Sequence, residues 1–305
     1  MGKSFVNNED AKVYYDRGFA NEKKGELGQA IADYSKAIEI NPNYPYSYYN
    51  RGLVYYRKCC FDKAILDHTK AIELNPNFPD AYYSRGLAYF RKGNLEQNVY
   101  DCTKAIEINP EYSNAYISRG NAYYKIGNLD QAIADFTRAI EISPNVALPY
   151  YNRGLVYHYK GSYVQAISDY TKAIEINPEY AEAYDNRGVA HHNSNDFNQA
   201  ILDYTKAIEI NPKYALAYKN RGLTYACKGD YDQTISDLTK AIEFNPEYSL
   251  NYVIRANAYY SKQEYEKAWD DVRKLKELGV AVNPQFLEKL KKNPGADADG
   301  EISTK

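Results

Sequence analysis

The sequence has little of what would place it in a specialised class of protein. Four cysteines in 305 residues are too few for a disulfide framework. The 38 basic and 40 acidic residues give a formal net charge of -2, so the basic excess of a nucleic-acid-binding protein is absent. No apolar run approaches the ~18 residues of a transmembrane helix, and the start, MGKSFVNNED, lacks the apolar segment of a secretory signal. We therefore expect a cytoplasmic protein that binds neither nucleic acid nor membrane.

One residue type is present in excess, because the chain has 35 tyrosines against one tryptophan and one methionine. Such an excess indicates that tyrosine fills the same structural positions many times, as in a repeat protein. The string KAIE, or RAIE once, recurs every 34 residues, at Lys36, Lys70, Lys104, Arg138, Lys172, Lys206 and Lys240. Counted from Ala11, this period gives eight repeat units, 11–44, 45–78, 79–112, 113–146, 147–180, 181–214, 215–248 and 249–282.

Each repeat unit has the pattern of two helices. Position 4 of the unit is always Tyr, position 8 is Gly in seven units and position 11 is Tyr in six. These spacings of four and three place the three positions on one stripe of a first helix. In a second helix, position 20 is mostly Ala, position 24 is often aromatic and position 27 is Ala in seven units. Gly or polar residues near positions 15 and 16 predict the turn between the helices, and a late Pro ends the second one.

These small and large residues at a 34-residue period resemble the tetratricopeptide repeat (TPR) family. The resemblance covers 272 of the 305 residues. It implies an all-α fold, a right-handed TPR superhelix (an α-solenoid) of antiparallel helix pairs whose first helices line a concave groove. The family's members are mostly non-catalytic proteins that bind other proteins.

The ends of the chain depart from the period. In the last unit, Ala256 and Leu275 replace the usual Gly and Ala. Asn283 followed by Pro is typical of a helix start, and the apolar stripe of Phe286 and Leu290 predicts a capping helix over 283–292. We expect residues 1–10 to be a lead-in and 293–305 a disordered tail.

An Arg and an Asp recur once in every repeat unit. Position 7 is Arg in all eight units, and position 23 is Asp in all eight. Each lies beside an apolar stripe, so facing helices would bring them together as partly buried ion pairs. The alternative is a basic strip for phosphate or acidic peptide. The equal number of aspartates favours the structural interpretation.

The groove would be lined by unit positions 2, 5, 6, 9, 12 and 13, which lie opposite the core stripe. Asparagines on this face resemble the asparagine ladder of TPR proteins that hold extended peptides, since one amide both donates to and accepts from a peptide backbone. Tyrosines at position 5 and cations at position 13 predict an apolar strip with a basic edge. The predicted peptide-binding residues are Asn50, Asn121, Asn152, Asn186, Asn220, Tyr15, Tyr49, Tyr83, Tyr151, Arg57, Arg91 and Lys125. Alternatively, the asparagines only solvate a helix and the rings pack between helices.

No catalytic, metal or cofactor site is predicted. His158 and His192 share position 12, but two ligands do not complete a zinc shell, so we interpret the imidazoles as replacements for an aromatic ring. Adjacent Cys59 and Cys60 lack the spacing of a zinc or redox pair. The carboxylate clamp of chaperone-binding TPR proteins is not supported, because no unit supplies its final Lys and Arg pair.

The sequence therefore predicts a non-catalytic interaction scaffold that holds a peptide segment of a partner protein in its groove. A monomer is favoured, and the identity of the partner stays open. Two alternatives remain, a self-assembling structural TPR protein and a regulatory subunit of an enzyme.

Overall fold

The structure, a computed structural model, describes residues 8–293. These residues form helices and contain no β-strand. The helices are α1 (Asn8–Lys23), α2 (Leu27–Ile40), α3 (Pro45–Arg57), α4 (Phe61–Leu74), α5 (Pro79–Arg91), α6 (Leu95–Ile108), α7 (Ser113–Ile126), α8 (Leu129–Ile142), α9 (Ala147–Tyr159), α10 (Tyr163–Ile176), α11 (Ala181–Asn193), α12 (Phe197–Ile210), α13 (Ala215–Cys227), α14 (Tyr231–Phe244), α15 (Ser249–Ser261), α16 (Tyr265–Glu277) and α17 (Pro284–Lys291). Most of the predicted lead-in and all but Asn293 of the predicted tail lie outside the described residues.

The chain divides into two compact modules, a first module that ends at Val156 and a second module that begins at Tyr157. In the first module, α1 packs on α2, α3 on α4, α5 on α6 and α7 on α8, and α2, α4 and α6 each also contact the helix that follows. In the second module, α11 packs on α12, α13 on α14 and α15 on α16, with α10, α12 and α14 each contacting the next helix. The predicted all-α fold of packed helix pairs is confirmed.

Where position 24 carries an aromatic ring, that ring explains the glycine at position 8 of the same repeat unit. A Cβ atom on Gly52 would lie 2.7 Å from the ring of His68, and one on Gly188 would lie 2.7 Å from the ring of Tyr204. Both rings are fully or almost fully buried. In these units the two helices of a pair therefore approach too closely for a residue with a Cβ atom.

The turn between the paired helices is left-handed in every repeat unit. The residue at position 15 has a positive φ each time, at Gly25, Cys59, Gly93, Gly127, Gly161, Asn195, Gly229 and Gln263. Left-handed backbone costs roughly 1–2 kcal/mol for residues with a Cβ atom, which explains why five of the eight are glycine. Cys59, Asn195 and Gln263 adopt it at φ values of 57°, 63° and 62°.

In the seven repeat units named here, the Arg and Asp form bidentate ion pairs, so the structural interpretation is confirmed for these units. In the first module, Arg85 donates to Asp101 at 2.9 and 2.7 Å. In the second, Arg221 donates to Asp237 at 2.8 and 2.8 Å. The same geometry recurs in Arg17–Asp33, Arg51–Asp67, Arg119–Asp135, Arg187–Asp203 and Arg255–Asp271.

These arginines also donate a hydrogen bond to the preceding repeat unit. The third guanidinium nitrogen of Arg85 donates to Thr69 at 3.0 Å, and that of Arg221 donates to Thr205 at 2.8 Å. Both hydroxyls lie at position 25, which the sequence analysis did not single out. One arginine therefore ties three helices together. Arg17 belongs to the first described unit, and its side chain is 57% exposed against 13% for Arg85.

The last helix, α17, packs against the end of the second module. The Asn283 side chain accepts a hydrogen bond from the Gln285 backbone amide at 2.8 Å and so caps the helix. Leu290 is fully buried with Trp269 and Val272. The predicted role of α17 as a cap remains a prediction about stability, which is tested below.

Candidate functional site: the groove face

The first helix of each repeat unit presents one side to its partner helix and another away from it. We call the side chains at unit positions 2, 5, 6, 9, 12 and 13 the groove face. In the first module, eight of them line a cavity of about 210 Å³. The lining residues are Tyr83, Leu87, Phe90, Asn114, Ile117, Ser118, Asn121 and Leu148, and all eight occupy groove-face positions.

The predicted tyrosines at position 5 are half-buried because each packs against the ring at position 34 of its own unit. The ring centroid of Tyr15 lies 5.4 Å from Tyr44, and that of Tyr83 lies 5.1 Å from Tyr112. Tyr49 lies 4.8 Å from Phe78 in the same way. Burial raises the pKa of the Tyr83 hydroxyl to about 12. These rings form the floor of the groove face rather than a fully exposed strip, and Tyr151 is likewise half-buried.

The predicted asparagines of the first module make hydrogen bonds within the protein. The Asn50 amide donates to the Tyr15 hydroxyl at 2.7 Å, and the Asn152 amide donates to the Asn121 side-chain oxygen at 3.0 Å. Each NH₂ group carries two hydrogens, so these bonds orient the amides without using all of their donors. Whether the amides also bind a peptide stays a prediction.

Position 13 carries the basic edge of the first module, and its three predicted cations contact different kinds of side chain in the preceding unit. Arg57 forms an ion pair with Glu22 at 2.9 Å. Lys125 instead lies 4.9 Å from the centroid of the Phe90 ring. Arg91 lies 5.6 Å from the ring of Phe61. Among the described residues, no carboxylate is within ion-pair distance of Arg91 or Lys125. The predicted basic edge therefore contains one cation that is paired with a carboxylate and two that lie over aromatic rings.

In the second module, the groove face has a buried acid at its centre. Asp185, at position 5, is 1% exposed and accepts a hydrogen bond from the Asn220 amide at 2.9 Å. Burial raises the pKa of Asp185 to about 6, although Asn220, Lys219 and Tyr214 oppose the shift. Burial also lowers the pKa of Lys219. The amide of Asn220 is thus committed to a protein carboxyl, which the sequence analysis did not predict.

Asn186 lies at the edge of this arrangement. Its amide donates to the backbone oxygen of Glu182 at 2.9 Å, one turn earlier in α11. A separate cavity of about 190 Å³ in the second module is lined by Val253 and Asn257 of the groove face together with Phe286 of α17. The second module therefore also offers a concave surface, although it lacks a cationic edge.

The two groove-face histidines take the place of aromatic rings, as the sequence analysis interpreted them. His158 packs edge-on against Tyr163 at 5.4 Å, and His192 packs on Phe197 at 5.2 Å. Tyr260 makes the same contact with Tyr265 at 5.6 Å. Burial lowers the pKa of both histidines, which are therefore neutral at pH 7.

No group of three or more His, Cys, Asp or Glu residues that would hold a metal ion occurs among residues 8–293. Cys59 and Cys60 are free thiols at the turn between α3 and α4, and Cys59 occupies its left-handed position. In the described part of the chain, no helix is both long enough and apolar enough to cross a membrane.

Models of the tetratricopeptide repeat match much of the chain. One described as "TPR repeat" matches residues 23–58, 120–161 and 154–195. Two described as "Tetratricopeptide repeat" match 45–78, 79–112, 181–214 and 215–248, and 102–134. Together the matches run from residue 23 to residue 248 without a gap. The geometry defines an all-α protein of repeated helix pairs. The chain belongs to the tetratricopeptide repeat family.

Solved structures with the same fold support this assignment. YrrB, described as a TPR protein with an unusual peptide-binding site, is 26% identical, with a TM-score of 0.52 over 60% of this chain and 95% of its own. MamA is 29% identical, with a TM-score of 0.52 over 57% and 95%. The C-terminal part of a TPR protein from Cytophaga hutchinsonii is 21% identical, with a TM-score of 0.64 over 79% and 98%, and shows the fold alone. No curated protein matches this sequence.

Proposed function

We propose that this chain is a non-catalytic interaction protein whose groove face holds an extended segment of a partner protein. The observation that carries the proposal is the cavity of about 210 Å³ whose eight lining residues all occupy groove-face positions. A concave surface that combines apolar side chains with a few amides is typical of a binding site. The peptide-binding site named for YrrB, a relative in fold, supports the same interpretation.

The amides fit this role because they are held in place before a partner arrives. Asn152 and Asn121 orient each other, so their remaining donors and acceptors point in fixed directions. A preoriented amide loses less side-chain entropy on binding than a free one. The site residues Asn50, Asn121, Asn152, Asn186 and Asn220 belong to this proposal, as do the half-buried tyrosines Tyr15, Tyr49, Tyr83 and Tyr151.

The proposal includes a cytoplasmic location, which the low cysteine content supports. It also includes a monomeric state, which the polar face of the capping helix supports because it disfavours end-to-end stacking. Self-assembly is the competing hypothesis. Light scattering over a range of concentrations separates the two, because a monomer keeps a constant mass.

A phage-displayed library of random peptides, selected on the full chain, tests the groove. Leu148 lines the cavity and is 44% exposed, so Leu148→Asp places a charge in the site without disturbing a core. We expect this variant to lose the selected peptides, because burying an unpaired carboxylate against apolar side chains is costly. Leu66→Asp is the matched control, since Leu66 is exposed on α4 away from the groove face. Peptides that bind Leu148→Asp as tightly as the parent chain would contradict the proposal.

A further inference from the structure

The cavity of the first module has a charged edge that is not neutralised by the protein itself. Phe90 lines the cavity, and the Lys125 ammonium lies over its ring at 4.9 Å. A ring face takes up one side of an ammonium group and leaves donors of the other side for a further partner. Arg91 follows Phe90 in sequence and is exposed. Its guanidinium lies over the ring of Phe61, which does not line this cavity, so Lys125 is the cation that lies at the cavity edge.

Lys125 differs in this respect from Arg57, the cation at the same position two units earlier. Arg57 pairs with Glu22 at 2.9 Å, and Glu22 also accepts from the Tyr34 hydroxyl at 3.0 Å. Among the described residues, no carboxylate lies within ion-pair distance of Lys125. The Lys125 ammonium is therefore left for a ligand.

The size of the cavity restricts the apolar part of that ligand. Pockets for drug-sized molecules measure about 300–1,000 Å³. At about 210 Å³, this cavity suits a single apolar side chain. Asn114 is exposed at its border and supplies an amide for the peptide backbone.

We infer that this part of the groove face selects a peptide segment in which an aspartate or glutamate lies next to an aliphatic or aromatic residue. The apolar side chain enters the cavity, and the carboxylate binds Lys125. The inference rests on the proposed peptide-binding function and adds the chemistry of the partner. A phosphate-binding role is less well matched, because a single Lys does not form an arginine cluster.

The test uses an array of short synthetic peptides in a Gly and Ser background. One set carries Asp or Glu next to Leu, Ile or Phe, and the matched set carries Asn or Gln in place of the acid. We expect the full chain to bind the acidic set about tenfold more tightly at low salt and to lose the preference as salt is raised. Equal binding of the two sets would overturn the inference and leave the proposed function intact. If peptides of neither set bind, both fail.

Two single variants locate the charge effect. Lys125→Gln should weaken binding of the best acidic peptide about fivefold and reduce its salt dependence. Lys104→Gln removes the same charge from a side chain that pairs with Glu107 away from the cavity, and should leave affinity unchanged. Equal losses in both variants would mean a non-specific charge effect and would overturn the assignment.

A third comparison locates the apolar contact. Leu148→Ser should weaken the same peptide about fivefold, because it removes apolar surface from the cavity. Leu216 has the same unit position in the second module and nearly the same exposure, 43% against 44%, so Leu216→Ser is the matched control.

Discussion

The two modules share one framework and differ on the face that it presents. Both have bidentate Arg and Asp pairs, close-packed glycines and left-handed turns at the same unit positions. At position 13, however, the first module has Lys23, Arg57, Arg91 and Lys125, whereas the second has Tyr159, Asn193, Cys227 and Ser261. Framework positions are fixed by packing, so the groove face is where the repeats are free to diverge in function.

The modules also place charge at different depths. In the first module, the charges of the groove face lie at its edge, over aromatic rings. In the second module, the carboxyl of Asp185 is buried beneath the face and Lys219 lies near it. The inferred preference for an acidic peptide therefore applies to the first module, whereas in the second module Lys219 lies near a buried carboxyl of the protein itself.

The largest expected effect concerns a difference between the modules, because the second module ends in α17, a helix outside the 34-residue period. Leu290→Ala should reduce the free energy of unfolding by about 2–5 kcal/mol, because it leaves a cavity beside Trp269 and Val272. The chain has one tryptophan, so denaturant unfolding followed by Trp269 fluorescence reports on this module.

Glu288→Ala on the exposed side of α17 is the control and should leave the unfolding midpoint nearly unchanged. If Leu290→Ala behaves like this control, α17 does not cap the module and the boundary predicted at residue 283 has no role in stability.

The buried acid sharpens the contrast between the groove faces. The folded-state pKa of Asp185 is raised to about 6, so its protonated form is favoured by folding. The stability that the protonated Asp185 carboxyl gives to the folded state is fully present below about pH 4 and is lost as pH rises through about 6. Asp185→Asn should therefore be more stable than the parent at pH 7, by up to about 3 kcal/mol, and equal to it at pH 4.

The measurement is denaturant unfolding at several pH values, again with Trp269 fluorescence. Groups that face Asp185 are Asn220, Lys219, Tyr214, Glu182 and Tyr204. Asp237→Asn is the contrasting variant, since it weakens the bidentate pair with Arg221 and should lower stability. A parent chain whose stability rises between pH 4 and pH 7 relative to Asp185→Asn would contradict the assignment.

Much of the framework follows from the sequence because it depends on contacts within one repeat unit. The Arg and Asp pairing, the close-packed glycine and the position of the turn are all fixed by the helix period and recur in most or all of the repeat units. Repetition makes such signals visible, since every unit must satisfy the same packing.

The groove face is harder to predict because its contacts join successive repeat units. Position 6 binds position 5 of the preceding unit, 35 residues earlier, in Asn50–Tyr15 and in Asn220–Asp185. Position 13 lies on position 12 of the preceding unit in Arg57–Glu22 and Lys125–Phe90. The period of 34 alone does not reveal an offset of 35. The ion pair of Arg57 and the hydrogen bond of Asn220 were therefore not predicted. The sequence does contain this offset. Asn50 lies 35 residues after Tyr15, and Asn220 lies 35 residues after Asp185.

The smallest expected effect concerns the left-handed turns, where the first module has one non-glycine residue, Cys59, and the second has two. Gln263→Gly should raise the stability of the second module by about 0.5–1 kcal/mol, because glycine adopts the left-handed backbone without the Cβ penalty. The greater flexibility of glycine in the unfolded chain offsets only part of this gain. Gln233→Gly in α14 is the matched control and should lose about 1 kcal/mol, since glycine is unfavourable inside a helix. Both are measured as shifts of the Trp269 unfolding midpoint. A lower midpoint for Gln263→Gly would mean that the Gln263 side chain stabilises the turn by more than its backbone costs.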